Sequence, residues 1–260
     1  LSTDSELRLV EGGDVLLLDV TPLSLGLETM GGLVEKVIPR CSQIPASRAQ
    51  EFTTFKDGQD GMDIHVLQGE RELVVDCRSL ARFRLMGIPP GPAGQARVRV
   101  TFAIDADGIL KVTAEELSAG IAQEVAVKPT HGLTDQEVES MLLASLENAE
   151  ADVMARFLAS ARVEAQRVID PLVLALERDR DLVDDHERST IESAMNDLRD
   201  AMDAEDHRQI EDLTLLLDKI SGGFAQRRME RALARGLRNV GIEDLEQELK
   251  DAPVGGGEHH

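Results

Sequence analysis

The chain has 260 residues, 42% of them hydrophobic, which suits one large domain or two ordinary ones. Its formal charge of -21, its pI near 4.6 and an aromatic content of 2% argue against nucleic acid, which calls for clustered Lys and Arg and often aromatic platforms. No apolar run approaches bilayer length, and the two cysteines, Cys41 and Cys77, form neither a zinc pattern nor a disulfide framework. With no signal peptide, and with Gly255–His260 resembling a linker and tag remnant, the chain reads as a cytoplasmic fragment.

The first distinctive stretch is Gly12–Leu25, GGDVLLLDVTPLSL. Four apolar residues, Val15 to Leu18, follow a glycine pair and precede Pro22, so the run reads as extended. Successive side chains of an extended segment point to opposite faces. Burying all four therefore requires cover on both sides, from this chain or from a partner.

From Asp19 to Lys128 the pattern has period two. Ala96, Val98, Val100, Phe102 and Ile104 share one face while Arg97, Arg99 and Thr101 take the other, and the same alternation runs through Met62–Val66, Ala81–Leu85 and Leu110–Ala114. Turn signals stand at Met30–Gly32, Asp57–Gly61, Pro89–Pro92 and Asp107–Gly108. Short strands with frequent turns predict an antiparallel sandwich.

After His131–Gly132 the period becomes 3.6. Thr134-Asp135-Gln136-Glu137 fits a capping box, and helix formers then run from Glu137 to Arg180, with Pro171 expected to kink or interrupt them. Ile191, Met195, Leu198 and Met202 mark a second amphipathic helix, and Ile210, Leu213, Leu217 and Ile220 a third, which Gly222-Gly223 should break or join to a following segment from Phe224. The acidic run Asp179–Glu187 reads as a solvated interhelical loop with a helix start. The helical half is expected to be a bundle of at least three helices.

No catalytic constellation emerges. Asp105–Gly108 reads as a hairpin turn rather than a calcium loop, and His65 as a packed or surface residue. There is no Gly-x-x-x-x-Gly-Lys phosphate loop, Gly-x-Ser-x-Gly elbow or His-Glu-x-x-His. What stands out is apolar: Leu27 and Met30 near one glycine turn, and Phe52, Phe55, Met62 and Ile64 around another. Met30 and Phe55 adjoin loops, where apolar side chains often mark binding surfaces, and a groove with a free strand edge would take an extended apolar peptide.

The run Val15–Gly32, VLLLDVTPLSLGLETMGG, closely resembles the linker and first substrate-domain strand of the seventy-kilodalton heat-shock chaperones, the DnaK family. So do Ile64–Arg71 and Ile104–Leu110. Within the family, Val34–Arg40, Ala49–Gln59, Asp76–Phe83 and Phe224–Met229 are most similar to the HscA branch, which serves iron–sulfur cluster assembly. The resemblance runs from about Asp14 to Leu237, and Ser5–Val10 match no part of it.

This resemblance implies an α+β architecture with a leader and interdomain linker at 1–18, a β-sandwich peptide-binding part at 19–131, an α-helical lid at 132–240 and a tail at 241–260. It implies that Val15, Leu16, Leu17, Leu18 and Asp19 form the linker; that Leu27, Phe52, Met62, Ile64, Val98 and Val100 line a peptide pocket beside Thr29; and that Met30 and Phe55 arch over the peptide. The expected client is the scaffold IscU through a Leu-Pro-Pro-Val-Lys loop, with a J-domain co-chaperone of the HscB type and the chaperone's own nucleotide-binding domain as further partners. Catalysis, metal and cofactor are expected to be absent, with ATP and magnesium confined to an ATPase domain outside this chain. A general unfolded-protein binder and a structural adaptor without a groove are the alternatives.

Overall fold

The computed structural model describes residues 8–9, 15–16 and 19–239, with side chains between 19 and 235. Strands β1 (Arg8–Leu9) and β2 (Val15–Leu16) pair antiparallel, Arg8 opposite Leu16 and Leu9 opposite Val15. Leu17 and Leu18 of the linker and the 241–260 tail lie outside the described residues.

Eight further strands follow: β3 (Leu25–Thr29), β4 (Leu33–Ile38), β5 (Ala46–Thr53), β6 (Gly61–Gln68), β7 (Arg78–Met86), β8 (Arg97–Ile104), β9 (Leu110–Glu116) and β10 (Ile121–Val127). They form two four-stranded sheets, ordered β10-β9-β8-β5 and β4-β3-β6-β7, in which every ladder is antiparallel. Leu25, Ile38, Val66 and Leu85 of one sheet and Val98, Val100, Phe102, Leu110 and Val112 of the other belong to one buried core. The alternation read from the sequence is the cause, because inward residues of both sheets meet face to face. In β8 the burial pattern follows it residue by residue, with Val98, Val100, Phe102 and Ile104 buried and Arg97 and Arg99 exposed.

Four α-helices follow among the described residues: α1 (Asp135–Glu147), α2 (Ala149–Arg178), α3 (Asp185–Met202) and α4 (His207–Asn239). Thr134 and Glu137 form the expected capping box, and Asp184 caps α3 by accepting from the Glu187 amide at 2.7 Å. Three expectations about the helices need correction. The first helical run divides at Asn148. Pro171 does not interrupt the second part, α2. Gly222-Gly223 lies inside α4, where buried Ser221 and Phe224 on either side anchor the helix and outweigh a propensity cost of about 1 kcal/mol per glycine.

The chain divides into two compact units, residues 1–160 and 161–260. The first contains both sheets, α1 and the opening turns of α2; the second contains the rest of α2 with α3 and α4. In the second unit Ile191, Met195, Leu198, Ile210, Leu217 and Phe224 are buried. The acidic run is not simply solvated: Asp179 accepts from Arg228 Nε at 2.7 Å, Asp181 pairs with Arg231, and Arg227 joins Glu187. The Arg228 hydrogen bond holds the Asp179 carboxyl below its ordinary range. Arginines of α4 thereby bracket the turn between α2 and α3.

Candidate functional site: a break in the β3–β6 ladder

Strand β6 runs from Gly61 to Gln68, yet β3 pairs with it only over Leu25–Leu27, opposite Gln68–Val66. Glu28 and Thr29 of β3, and Gly61–His65 along that side of β6, have no ladder partner across the gap. Backbone donors and acceptors left this way are a template for an added extended chain.

Leu27, Thr29, Met62 and Ile64 lie on β3 and β6 at or next to this break, whereas Phe52, Val98 and Val100 lie on β5 and β8 of the other sheet. Leu27, Ile64, Val98 and Val100 are buried, with Ile64 opposite Phe83 in the ladder. Met62 and Phe52 are half-buried and pack against the core from its rim; Phe52 faces Val98 across the β5–β8 ladder. Thr29 closes the hairpin by donating from its hydroxyl to the Leu33 carbonyl at 3.3 Å. Beyond it Met30 is 50% exposed, too much for an ordinary core residue, and Gly31 and Gly32 supply the positive φ of 82° and 68° that the tight turn requires.

Phe55 is half-buried in the loop after β5. Gln59 organises that loop, accepting from the Phe55 amide at 3.0 Å and donating to the Gly61 carbonyl at 2.8 Å. Asp57 accepts from the Ala93 amide at 2.8 Å, while the Gly58 amide donates to the Gly91 carbonyl at 2.8 Å. Loop 54–60 is thereby tied to loop 91–94.

Two side-chain networks stand out, one at the break and one where α2 starts beside β4, and neither was legible beforehand. His65 is buried, with Nδ1 2.6 Å from Glu28 Oε2 and Nε2 2.8 Å from Ser79 Oγ, so it bridges three strands where β3 has left the ladder. The second network fixes the start of α2. Arg71 donates through Nε and Nη2 to both oxygens of buried Asp152, at 2.6 and 2.8 Å. Arg156 donates to Glu72 at 2.6 Å and to the Val34 carbonyl at 3.3 Å, and Lys36 donates to Glu72 at 2.9 Å. Burial pushes the Glu72 carboxyl up, but hydrogen bonds from Lys36 and Arg156 outweigh it and leave it below its ordinary range. The partners are 81 and 84 residues apart, so no local pattern announces them.

Among the described residues no cluster of His, Cys, Asp and Glu suits a metal ion, and no helix is long and apolar enough to cross a membrane. One strand leads directly toward a helix, β10 toward α1. There Thr134 and Glu137 take up the free amides and Asp135 adds a second carboxylate, an arrangement that repels phosphate.

The family model for Hsp70 protein matches residues 8–230. The match includes Arg8–Val10, correcting the reading that this stretch lies outside the family pattern. The chain is 54% identical over 232 residues to a chaperone protein HscA homolog of Mannheimia succiniciproducens, covering 89% of this chain and 38% of the relative. It is 56% identical over 232 residues to chaperone protein HscA of Cronobacter sakazakii and 55% identical over 234 residues to the HscA homolog of Ralstonia pickettii, again with 38% of each relative covered.

The chain thus spans well under half the length of these relatives, and that share does not itself name the part matched. Two expectations are withdrawn on this ground. That the chain is no enzyme, and that ATP and magnesium lie outside it, were implied by the resemblance to the substrate-binding part of the family; the family match over residues 8–230 does not support either. From the match over residues 8–230, the chain belongs to the Hsp70 family of chaperones.

Proposed function

We propose that the two-sheet unit holds an extended apolar segment of a client polypeptide at the break between β3 and β6. The observation that carries this reading is the five-residue stretch Gly61–His65, whose edge toward β3 is unpaired beside Met30, Met62 and the buried floor of Leu27 and Ile64. A chain laid there gains backbone hydrogen bonds, and alternate side chains meet apolar surface. The all-antiparallel topology and the acidic, self-capped start of α1 favour this over a nucleotide site, which uses free amides at a helix start.

The resemblance to the HscA branch adds a finer reading. Its client is the Leu-Pro-Pro-Val-Lys loop of IscU, whose proline pair is already extended and so loses little entropy on binding. A J-domain co-chaperone of the HscB type belongs to the same reading of the whole protein.

The test is a fluorescence-anisotropy titration of the chain with labelled Leu-Pro-Pro-Val-Lys peptide, beside a calorimetric titration with ATP and magnesium. Saturable peptide binding is expected, weakened in Met62→Ala by about 1 to 3 kcal/mol through lost apolar contact. ATP binding without peptide binding overturns the proposal, as does unchanged peptide affinity in a folded Met62→Ala.

A further inference from the structure

On the side of its sheet that faces away from the core, His65 joins an acid on one neighbouring strand to a hydroxyl on the other. Ile64 and Val66 are buried in the core between the sheets, so the side chain of His65 between them points to the outer face. There Nδ1 lies 2.6 Å from Glu28 Oε2 on β3, and Nε2 lies 2.8 Å from Ser79 Oγ on β7. The imidazole belongs to a residue only 5% exposed, whereas Ser79 is exposed.

The partners fix which ring nitrogen carries the hydrogen. A carboxylate only accepts, so Nδ1 donates to Glu28, and in the neutral ring Nε2 is left with its lone pair. The Ser79 hydroxyl is then the donor, its hydrogen directed at Nε2. A hydroxyl donating to an imidazole that a carboxylate orients from behind is the arrangement that activates a serine as a nucleophile.

Register brings a cation to the same face. His65 stands opposite Arg82 and Leu67 opposite Ser79, with Leu80 as the extra residue of an irregularity in the ladder, so Ser79 and Arg82 project to one side. Arg82 is exposed, and among the described residues no ion pair or hydrogen bond engages its side chain. A guanidinium so placed can meet negative charge as it develops on a carbonyl oxygen.

We propose that Ser79 is a nucleophilic site that accepts a short acyl group from an activated acyl donor, with His65 as general base, Glu28 as the residue that positions it and Arg82 as the cation available to the oxyanion. In the step, Ser79 Oγ bonds to the carbonyl carbon, its proton passes to His65 Nε2, and the donor's leaving group departs with its bonding pair; His65 then returns the proton to that group or to water. β7 is the terminal strand of its sheet, and an exposed serine on such a strand suits a short acyl group. The site lies on the opposite face of the sheet from Ile64 and does not rest on what binds at the β3–β6 break.

The probe is a fluorophosphonate, which forms a stable ester with activated serines as fluoride leaves, applied to the whole chain at neutral pH and located by peptide mass spectrometry. Labelling is expected at Ser79 and not at Ser47, an exposed serine of β5, and p-nitrophenyl acetate as acyl donor should slow it by occupying the same oxygen. His65→Gln should slow labelling by roughly 100-fold, the scale of a positioned general base. Glu28→Gln should slow it by about tenfold or more, and Glu28→Asp, which keeps a carboxylate, should recover part of the rate. Circular dichroism reports whether each variant is folded. No labelling of Ser79, equal labelling of Ser47, or an unchanged rate in folded His65→Gln or Glu28→Gln would each overturn the proposal.

Discussion

Replacing Asp152 by Ala should release the start of α2 from the sheets, and Cys77 is placed to report it. The Cys77 thiol donates to the Arg71 carbonyl at 3.5 Å, and Gly69 beside it is walled by Cys77 Sγ and Met141 Cε of α1. Burial pushes this half-buried thiol up to about 11, so it is protected chiefly by lack of thiolate. Asp152→Ala removes two charge-assisted hydrogen bonds and leaves Arg71, whose side chain is only 18% exposed, with Asp76 at 3.4 Å as its remaining carboxylate. Breaking such a pair costs about 3 kcal/mol. At roughly 1.4 kcal/mol per factor of ten, the open population should rise about 100-fold. The assay is iodoacetamide labelling at pH 8 in a Cys41→Ser background, since Cys41 is exposed and would otherwise dominate. Cys77 alkylation should accelerate by roughly that factor, and Arg71→Met combined with Asp152→Ala should add little, because the two side chains act as one unit. A Cys77 rate unchanged in folded Asp152→Ala would refute the idea that this ion pair holds the helix down.

The same docking should fail in acid. Because the Glu72 carboxyl lies below its ordinary value of 4.5 in the folded chain, its contribution is complete above that value and is lost as pH falls through the lower, folded one. Hydrogen exchange by mass spectrometry should therefore show α1 and the start of α2 losing protection below pH 4.5 while the β8–β9 ladder keeps it, and Glu72→Gln should show that loss already at neutral pH. Gly26→Ala should destabilise the two-sheet unit by about 1 to 3 kcal/mol in urea unfolding, because the added methyl carbon would lie 2.4 Å from the Glu35 carbonyl oxygen and backbone must move to admit it. An unchanged urea midpoint would show that the neighbouring strand yields freely.

Period-two alternation was legible because the two inward faces share one core, so burial alone writes the pattern. Val98, Val100, Phe102 and Ile104 could be placed from spacing, as could the capping box at Thr134 and the Asp105 turn, where Asp105 Oδ1 accepts from the Asp107 and Ile109 amides at 3.0 and 2.9 Å. These are short-range effects. Gly222-Gly223 misled for the complementary reason, since a local cost of about 1 kcal/mol per glycine is modest beside the burial of Ser221 and Phe224 on either side. The break between β3 and β6 was not legible at all. Leu27 and Ile64 were recognised as apolar residues near turns, but that their strands part after Leu27 depends on register, which a single sequence does not state.

The two networks show why charge was the hardest part to read. With 49 acidic against 28 basic residues, most carboxylates must remain solvated, and an arginine is the scarcer partner that decides which ones do not. Arg71, Arg156 and Arg78 are spent within the two-sheet unit on Asp152, Glu72, Gln68 and the backbone near Pro129. Arg227, Arg228 and Arg231 are spent within the helical unit on Glu187, Asp179 and Asp181. No arginine in either set shares its carboxylate with the other set. Lifting the start of α2 away from the sheets must break the bonds of Arg71 and Arg156 together. Resistance to lifting this helix start is thus concentrated at Asp152 and Glu72.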